Sequence, residues 1–583
     1  VAYRTFVSAA SWRSRFAPTD ATVSTVGSWL RANGFRVGAV PANHRTIAFT
    51  GTVAQAQKAF GTTLKTYLRG GVSVIAPTTA ATVPTSIAGL VAGVSGLDTS
   101  QMKAPASVGG PRTTRSGSTL STTSATKAQL PPPDPVFKNG RPCSTYFGEK
   151  KASALPSLPG INPMTYAPCG YLPAQTRGAY GLDPSVAQGV DGRGVTVAIV
   201  DAYASPYIEQ DAQQYAQRND PSHPLRSSQF AQNVPAHFKH TNACGAGGWY
   251  GEETLDVEAV HAMAPAANIL YVGAVSCFDP DIDAAVNTIV DNQLADIVSN
   301  SYGETEAVGG AGEVANVQQT LIQAAAEGIS MLYSSGDDGD EIVATGVRQV
   351  DASADDPWAT GVGGTSLAVT KSNGYGFEQG WGTGKTVLSG SAWSPVPPAY
   401  LYGGGGGESD LFAEPWYQVG VVPDAVATQT ASGQAGRTVP DVAMVGDPST
   451  GFLVGQRQSF PDKSIRYGEY RIGGTSLSAP LFAGTVAVAS QVAHGKLGFL
   501  NPALYGSIYG TSAVRDVNHG RAVTDAVVRI DFNNGLNADA GTTTSARTFN
   551  QTGTIYTRPG YDDVTGVGSP NGAAFLQALA SAN

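Results

Sequence analysis

A serine hydroxyl attacks a carbonyl only when it is exposed at a turn and something nearby takes its proton. Gly473-Gly-Thr-Ser476-Leu-Ser-Ala-Pro480 has the first property. Its glycines permit a sharp turn and a close approach by a substrate backbone. The small apolar run Leu481 to Ala493 behind it reads as a helix, whose first N–H groups and dipole favour a developing oxyanion. The same Gly-Thr-Ser is also a plain helix cap, so the motif needs a partner. Seven histidines are available as bases: His44, His223, His237, His240, His261, His494 and His519. Only His261 lies near a promising acidic helix, Gly251-Glu-Glu-Thr-Leu-Asp-Val-Glu-Ala-Val-His-Ala-Met-Ala-Pro265. Gly251 and Pro265 bracket it. At about 100° per residue, Glu252 and Asp256 share a face with Ala259 and Met263, while His261 falls nearly opposite Glu252. An acidic first turn facing the helix dipole accounts for Glu252 and Glu253 but not for Asp256. A third carboxyl, Asp337 in Ser334-Ser-Gly-Asp337-Asp-Gly339, follows a strand-like stretch and is either a turn former or a site acid.

Such groups need a rigid frame. Residues from about 160 to 583 read as α/β: Gly194-Val-Thr-Val-Ala-Ile-Val-Asp201, Asn268 to Val272, Asp296 to Ser299 and Ser330 to Ser335 resemble buried parallel strands, with helices such as Val314 to Glu327 between them. Parallel sheets place their sites in the loops at the carboxyl ends of strands. Ahead of this lies an α+β unit of about 98 residues, with helices over Val23 to Leu30 and Val53 to Phe60 and strands at Phe35 to Val37, Thr46 to Phe49 and Leu64 to Tyr67. The composition then changes. Ala104 to Pro111, Ser118 to Thr123 and Pro131-Pro-Pro cannot build a core and read as a mobile, protease-accessible linker. The division expected is 1–103, 104–165 and 166–583. A small domain tethered to a large one by a cleavable segment is the layout of a proenzyme, and equally of a binding module on a tether.

Composition narrows the chemistry. Charged residues make up only 14% of 583, with 71 glycines and 36 prolines; a surface of Ser, Thr, Gly and Asn loses little when carboxylates protonate, which suits an acid medium. A net charge of −9 speaks against nucleic acid or anionic membrane as a partner. No run of roughly 18 apolar residues appears, so no membrane span is expected. Cys143, Cys169, Cys244 and Cys277 form no Cys-x-x-Cys pair, and an even number in a loop-rich chain points to two disulfides in an oxidising compartment. Three pairings are possible; sequence neighbours, Cys143 with Cys169 and Cys244 with Cys277, are the first choice.

Taken together, Gly-Thr-Ser-x-Ser-x-Pro, Glu-x-x-x-Asp and Ser-Gly-Asp-x-Gly resemble the sedolisin family of serine-carboxyl peptidases. Further similar segments are Trp29 to Phe35, Ala59-Phe-Gly61, Val83 to Leu90, Gly361 to Thr365, Val439-Pro-Asp441 and Gly498 to Pro502. The resemblance implies a subtilisin-like parallel sheet flanked by helices, preceded by a small α+β prodomain that acts as chaperone and inhibitor. It implies Ser476 as nucleophile, Glu252 as general base, Asp256 as the residue orienting Glu252, and Asp337 as the oxyanion-hole acid. Asp201 stands at the end of its strand, where the family often has Glu, and is a candidate neighbour of the catalytic acids. Tyr302, in Asn300-Ser-Tyr-Gly303, replaces the family's tryptophan. One calcium ion is implied, held by Asp516 and Asp562 and by the carbonyls of Val517, Arg558 and Gly560; Arg558 stands where the family has Gly.

The protein is thus expected to be a secreted, extracellular, monomeric endopeptidase, active in acid on polypeptides and self-activated by prodomain removal. Two other readings compete. A Ser-His-Asp peptidase would use His261 and Asp201, and a catalytically silent calcium-dependent binding protein on a peptidase scaffold would keep the calcium loop without the catalytic chemistry.

Overall fold

The computed structural model describes residues 3–69, 72–107, 124–130, 132–135, 140–161 and 164–582. The low-complexity stretch Ser118 to Thr123 and the first of the three consecutive prolines lie outside the described residues.

The N-terminal unit closes around Leu30, Phe35, Ala56 and Phe60, with the rings of Trp29 and Phe49 packed on Phe60. Helix α1 (Asp20–Ala32) is capped by Thr19, and α2 (Val53–Phe60) by a Thr52–Gln55 capping box, with Gly61 in the left-handed conformation ending it. Of the expected strand at Thr46 to Phe49 only Phe49–Thr50 forms, paired with Arg36–Val37. Leu64–Arg69 turns back on Val72–Pro77 as a hairpin. After this unit β1 (Ala104–Pro105) leads into the large domain.

The large domain is a twisted sheet of buried apolar strands. In chain order they are β2 (Thr196–Ala202), β3 (Phe230–Asn233), β4 (Asn268–Ala274), β5 (Ile297–Asn300), β7 (Ser330–Ser334), β8 (Thr360–Val369), β9 (Tyr375–Gly380) and β10 (Val442–Val445), the short β6 (Tyr302–Gly303) lying off the sheet. Their spatial order is β9–β8–β7–β5–β2–β4–β3, with β10 also on β8. Every pairing is parallel except β8 with β9. This is the subtilisin-like fold expected. Strands with both faces covered need no polar side, and β5 and β7 are wholly buried. Helices α3 (Ala246–Met263), α4 (Asp279–Asn292), α5 (Ala311–Glu327) and α6 (Thr475–Ala493) cover the sheet. By length and composition α6 could cross a membrane, but it is packed inside the domain. The N-terminal unit rests on α4 and α5. Asn43 Nδ2 donates to Asn287 and Gln323, and Arg13 pairs with Asp291.

Part of the stretch 104–165, read from the sequence as a loose linker, is packed. Leu158, Ile161 and Met164 join Trp393, Val528 and Ala546 in a small core. Thr165–Tyr166 is the edge of a five-stranded sheet whose other members include Ala526–Phe532 and Thr542–Thr548. Those two strands come from the long insert between Asp516 and Arg558. The nearby prolines and serines hid a set of apolar residues with somewhere to go. The disulfides are Cys143–Cys169 and Cys244–Cys277.

Candidate active site

Helix α6 begins at Gly474, whose φ of 120° is open to glycine and costly for other residues. Space excludes a side chain there as well. A Cβ would lie 2.3 Å from the Ala106 carbonyl oxygen, 2.7 Å from Ser107 Cα and 2.9 Å from Asp337 Oδ2. Three parts of the chain therefore converge on this helix end.

The first is the turn after β7. Asp337 Oδ1 accepts hydrogen bonds from the Thr475 N–H at 2.7 Å and the Thr475 hydroxyl at 2.9 Å, which leaves Oδ2 without a partner among the described residues. Burial pushes this carboxyl well above its usual range, against the pull of the Thr475 bonds. The run Gly403 to Gly407 is packed beneath this turn: Gly403 N–H donates to the Asp337 carbonyl and Gly405 N–H to the Gly336 carbonyl.

The second is α3. It starts at Ala246, five residues before the glycine taken from the sequence as its boundary, so Glu252 lies in the second turn, not the first. The dipole explanation for Glu252 thereby falls. Glu252 and Asp256 do share a face and are fully buried. The Ser301 hydroxyl donates to Asp256 Oδ1 at 2.8 Å, and the Ser476 hydroxyl donates to the Ser301 carbonyl at 3.2 Å. Burial raises Glu252 to about 7, with the hydroxyls of Ser107 and Ser476 close enough to act the other way, although neither makes a hydrogen bond of full geometry to it. Asp256 is pushed well up by burial and then by the Glu252 charge. Asp201, at the end of β2, joins them: it is buried, neither oxygen accepts a hydrogen bond among the described residues, and burial with the charges of Asp256 and Glu252 drives it up. Acids crowded this way share protons as a group. Ser301, which ties Asp256 to the serine turn, was not singled out by sequence reasoning; it directly follows β5, after the polar Ser299 and Asn300 that end the strand. Tyr302 is buried and its hydroxyl donates to Asn300 Oδ1 at 2.8 Å.

His261 points elsewhere. It sits where Arg177 binds Asp220 and the Ala262 carbonyl, and burial lowers it to about 4. A Ser-His-Asp arrangement with Ser476 is not formed.

The third part is the segment leaving the N-terminal unit. β1 runs antiparallel to β6, with Ala104 opposite Gly303 and Pro105 opposite Tyr302. Lys103 N–H donates to the Cys277 carbonyl at 2.9 Å, Ala106 N–H to the Ser301 carbonyl at 3.2 Å, and the Ser476 N–H donates to the Ala106 carbonyl at 3.0 Å. A peptide carbonyl thus lies at the first turn of α6, beside Ser476 and opposite Asp337.

The residues read as a calcium site lie on two adjacent loops. Gly560 N–H donates to Asp516 Oδ2 at 3.2 Å. Asp562 is fully buried and raised to about 8 by burial, while the N–H groups of Val564 and Thr565 bind its Oδ1 at 2.9 and 2.7 Å. The Arg558 guanidinium turns away, over the Tyr556 ring and towards Asp563. Among the described residues no hydrogen bond reaches the carbonyls of Val517, Arg558 or Gly560. No cluster of three or more His, Cys, Asp or Glu side chains suited to a metal occurs among them either. Two carboxylates and free carbonyls fit a hard cation with oxygen ligands.

Residues 1–100 match the model of the pro-kumamolisin activation domain, and residues 192–536 match that of the subtilase family. The chain is 28% identical to kumamolisin of Bacillus sp. (strain MN-32) over 568 residues, covering 95% of this chain and 82% of that one. It is 26% identical to sedolisin of Pseudomonas sp. (strain 101), covering 88% and 76%. Tripeptidyl-peptidase 1 of Macaca fascicularis is 28% identical over 305 residues, covering 50% and 44%. Among solved structures, a Pseudomonas sedolisin complexed with pseudo-iodotyrostatin superposes with a TM-score of 0.52 at 23% identity, over 71% of this chain and 98% of that one.

Proposed function

Since the chain belongs to the subtilase family, as a serine-carboxyl peptidase of the sedolisin type with its activation domain attached, we propose that it is an acid-active endopeptidase whose nucleophile is Ser476. The Ser476 oxygen attacks the peptide carbonyl carbon and its proton passes to Glu252. The carbonyl oxygen, now negative, takes hydrogen bonds from the Ser476 N–H and from a protonated Asp337 Oδ2. Glu252 then gives the proton to the departing amine, and a water activated by the same carboxylate hydrolyses the acyl-enzyme. Asp256, fixed by Ser301, stands against Glu252 and orients it. The observation that carries this reading is the Ala106 carbonyl accepting from the Ser476 N–H beside the free oxygen of Asp337.

Acid dependence follows from the two acids. Asp337 must be neutral to donate and Glu252 ionised to accept. When a solvated cleft relieves the burial that raises Glu252, its value returns towards the ordinary carboxylate range, while Asp337 stays enclosed behind Thr475. The working window lies between the two and closes as Asp337 ionises. An endopeptidase rather than a tripeptidyl-peptidase is supported by the path upstream of Ala106: the chain continues past Lys103 to Met102, which pairs with Phe278. A site that removes three residues needs a wall there. Two disulfides and the precursor layout support secretion. Asp516 and Asp562, with the carbonyls of Val517, Arg558 and Gly560, would hold one calcium ion, which would keep Asp562 ionised and pin the two loops.

The test is acid incubation of the precursor with a protein substrate, alongside Ser476→Ala and Glu252→Gln. Both variants are expected to be inert and the parent active only in acid. Full activity of Glu252→Gln, or a rate unchanged across neutrality, overturns the proposal.

A further inference from the structure

We propose that Asp279, Glu304 and Glu313 form a recognition pocket for a Lys or Arg side chain at the fourth residue before the cleaved bond, and that Lys103, seated in it, directs the first cut to Ala106–Ser107. The inference rests on Ser476 being the nucleophile, as read above. The residue whose carbonyl meets the Ser476 N–H is the one on the acyl side of the scissile bond, which makes Ala106 that residue and Ser107 the new N-terminus. Counting back through Pro105 and Ala104, Lys103 is the fourth.

Lys103 is only 2% exposed. Its ammonium lies 2.7 Å from Glu304 Oε1 and 3.6 Å from Asp279 Oδ1, both carboxyls being buried. Glu313, also buried, faces the same charge from α5 and accepts a bond from Ser95 of the N-terminal unit at 3.0 Å. Burial alone would lower the ammonium, yet the three acids together hold it well above its usual range. Emptied, the pocket would leave three crowded carboxyls that must take up protons or admit water, and a basic side chain restores their counter-charge.

The walls of the pocket belong to the peptide track itself. Cys277, whose carbonyl takes the Lys103 N–H, is two residues before Asp279 and is anchored by its disulfide to Cys244. Gly303, opposite Ala104 in β6, is one residue before Glu304. Any peptide bound in the register of residues 103–106 delivers its fourth side chain between these two acids. The selectivity is therefore a property of the cleft and outlasts departure of the prodomain.

The experiment has two arms. In the first, the precursor is activated in acid and the large fragment is sequenced from its N-terminus, for the parent, Lys103→Arg and Lys103→Glu. The fragment is expected to begin at Ser107 in the parent and Lys103→Arg, and cutting at this bond is expected to fall in Lys103→Glu by at least about tenfold, as befits a lost charge-assisted contact. In the second, activated parent enzyme cleaves peptides of the form X-Ala-Pro-Ala-Ser with X as Lys, Arg or Glu. A kcat/KM ratio of Lys over Glu of at least about ten is expected, falling towards one in Glu304→Gln. Equal rates for Lys and Glu in the parent enzyme, or unaltered cutting at Ser107 in Lys103→Glu, overturn the pocket while leaving the nucleophile untouched. Cleavage by Ser476→Ala would instead overturn the catalytic reading.

Discussion

The burial of Glu252 should favour the folded precursor in acid, and replacing this single residue should erase a measurable share of that preference. In the closed site Glu252 rises from the ordinary 4.5 to about 7, chiefly through burial. In the unfolded chain it returns to the ordinary value. Between the two the native state holds a proton that the unfolded state has lost, so stability falls as pH rises. The contribution is complete below about pH 4.5 and gone above about pH 7. At about 1.4 kcal/mol per pH unit the full swing is about 3 kcal/mol. Glu252→Gln keeps the shape and removes the titration. The assay is denaturant unfolding of the Ser476→Ala precursor, which cannot digest itself, from pH 4 to pH 8, with and without Glu252→Gln. The loss of stability between these limits should shrink by about 3 kcal/mol in the double variant, and by more if Asp256 and Asp201 ionise more readily beside a neutral neighbour. Two superimposable pH profiles would refute the reasoning, because Glu252 would then be solvated or already ionised in the fold.

Asp337→Ala, which removes the proposed oxyanion acid, should lower kcat by about 10²–10³ while leaving KM near its parent value, as measured on a chromogenic peptide in acid. His261→Ala should keep acid activity within a few-fold of the parent; abolition of activity would revive histidine chemistry. Dialysis against a chelator should lower the unfolding temperature by several degrees, with calcium restoring it and magnesium doing so poorly, since a loop of two carboxylates and backbone carbonyls suits the larger ion.

Much of this site was legible in the sequence because its parts are local. The turn at Ser476 and the acid after β7 are each fixed by a few adjacent residues, and the pairing of Glu252 with Asp256 needs only helical phase. What could not be read were facts made by the sheet. Ser301 acquires its place only because β5 lies between β2 and β7, which brings its hydroxyl to Asp256 and its carbonyl to Ser476. Lys103 looked like one more residue before a proline-rich stretch, and nothing local says that acids 176 and 201 positions away enclose it. The start of α3 was misplaced because Gly245, not Gly251, adopts the left-handed backbone that opens the helix, and Gly247, Gly248 and Gly251 are carried inside it by tertiary packing.

The arrangement of charge ties the composition to the chemistry. With 14% of residues charged, the protein nevertheless buries Glu252, Glu253, Asp256 and Glu258 on one helix. All four are pushed upward with burial as the leading cause. In neutral solution such a helix sets carboxylates against one another inside a medium that solvates them poorly. In acid the same groups carry protons, and a neutral carboxyl is an ordinary polar group that can give as well as accept a hydrogen bond. The medium that favours the helix is therefore the one in which Asp337 would donate to an oxyanion in the proposed mechanism. A sparse surface charge belongs to the same design, since few exposed carboxylates are lost as the pH falls. The sign of the pH dependence should accordingly be shared by the stability of the latent fold and by catalysis, although the two rest on different residues.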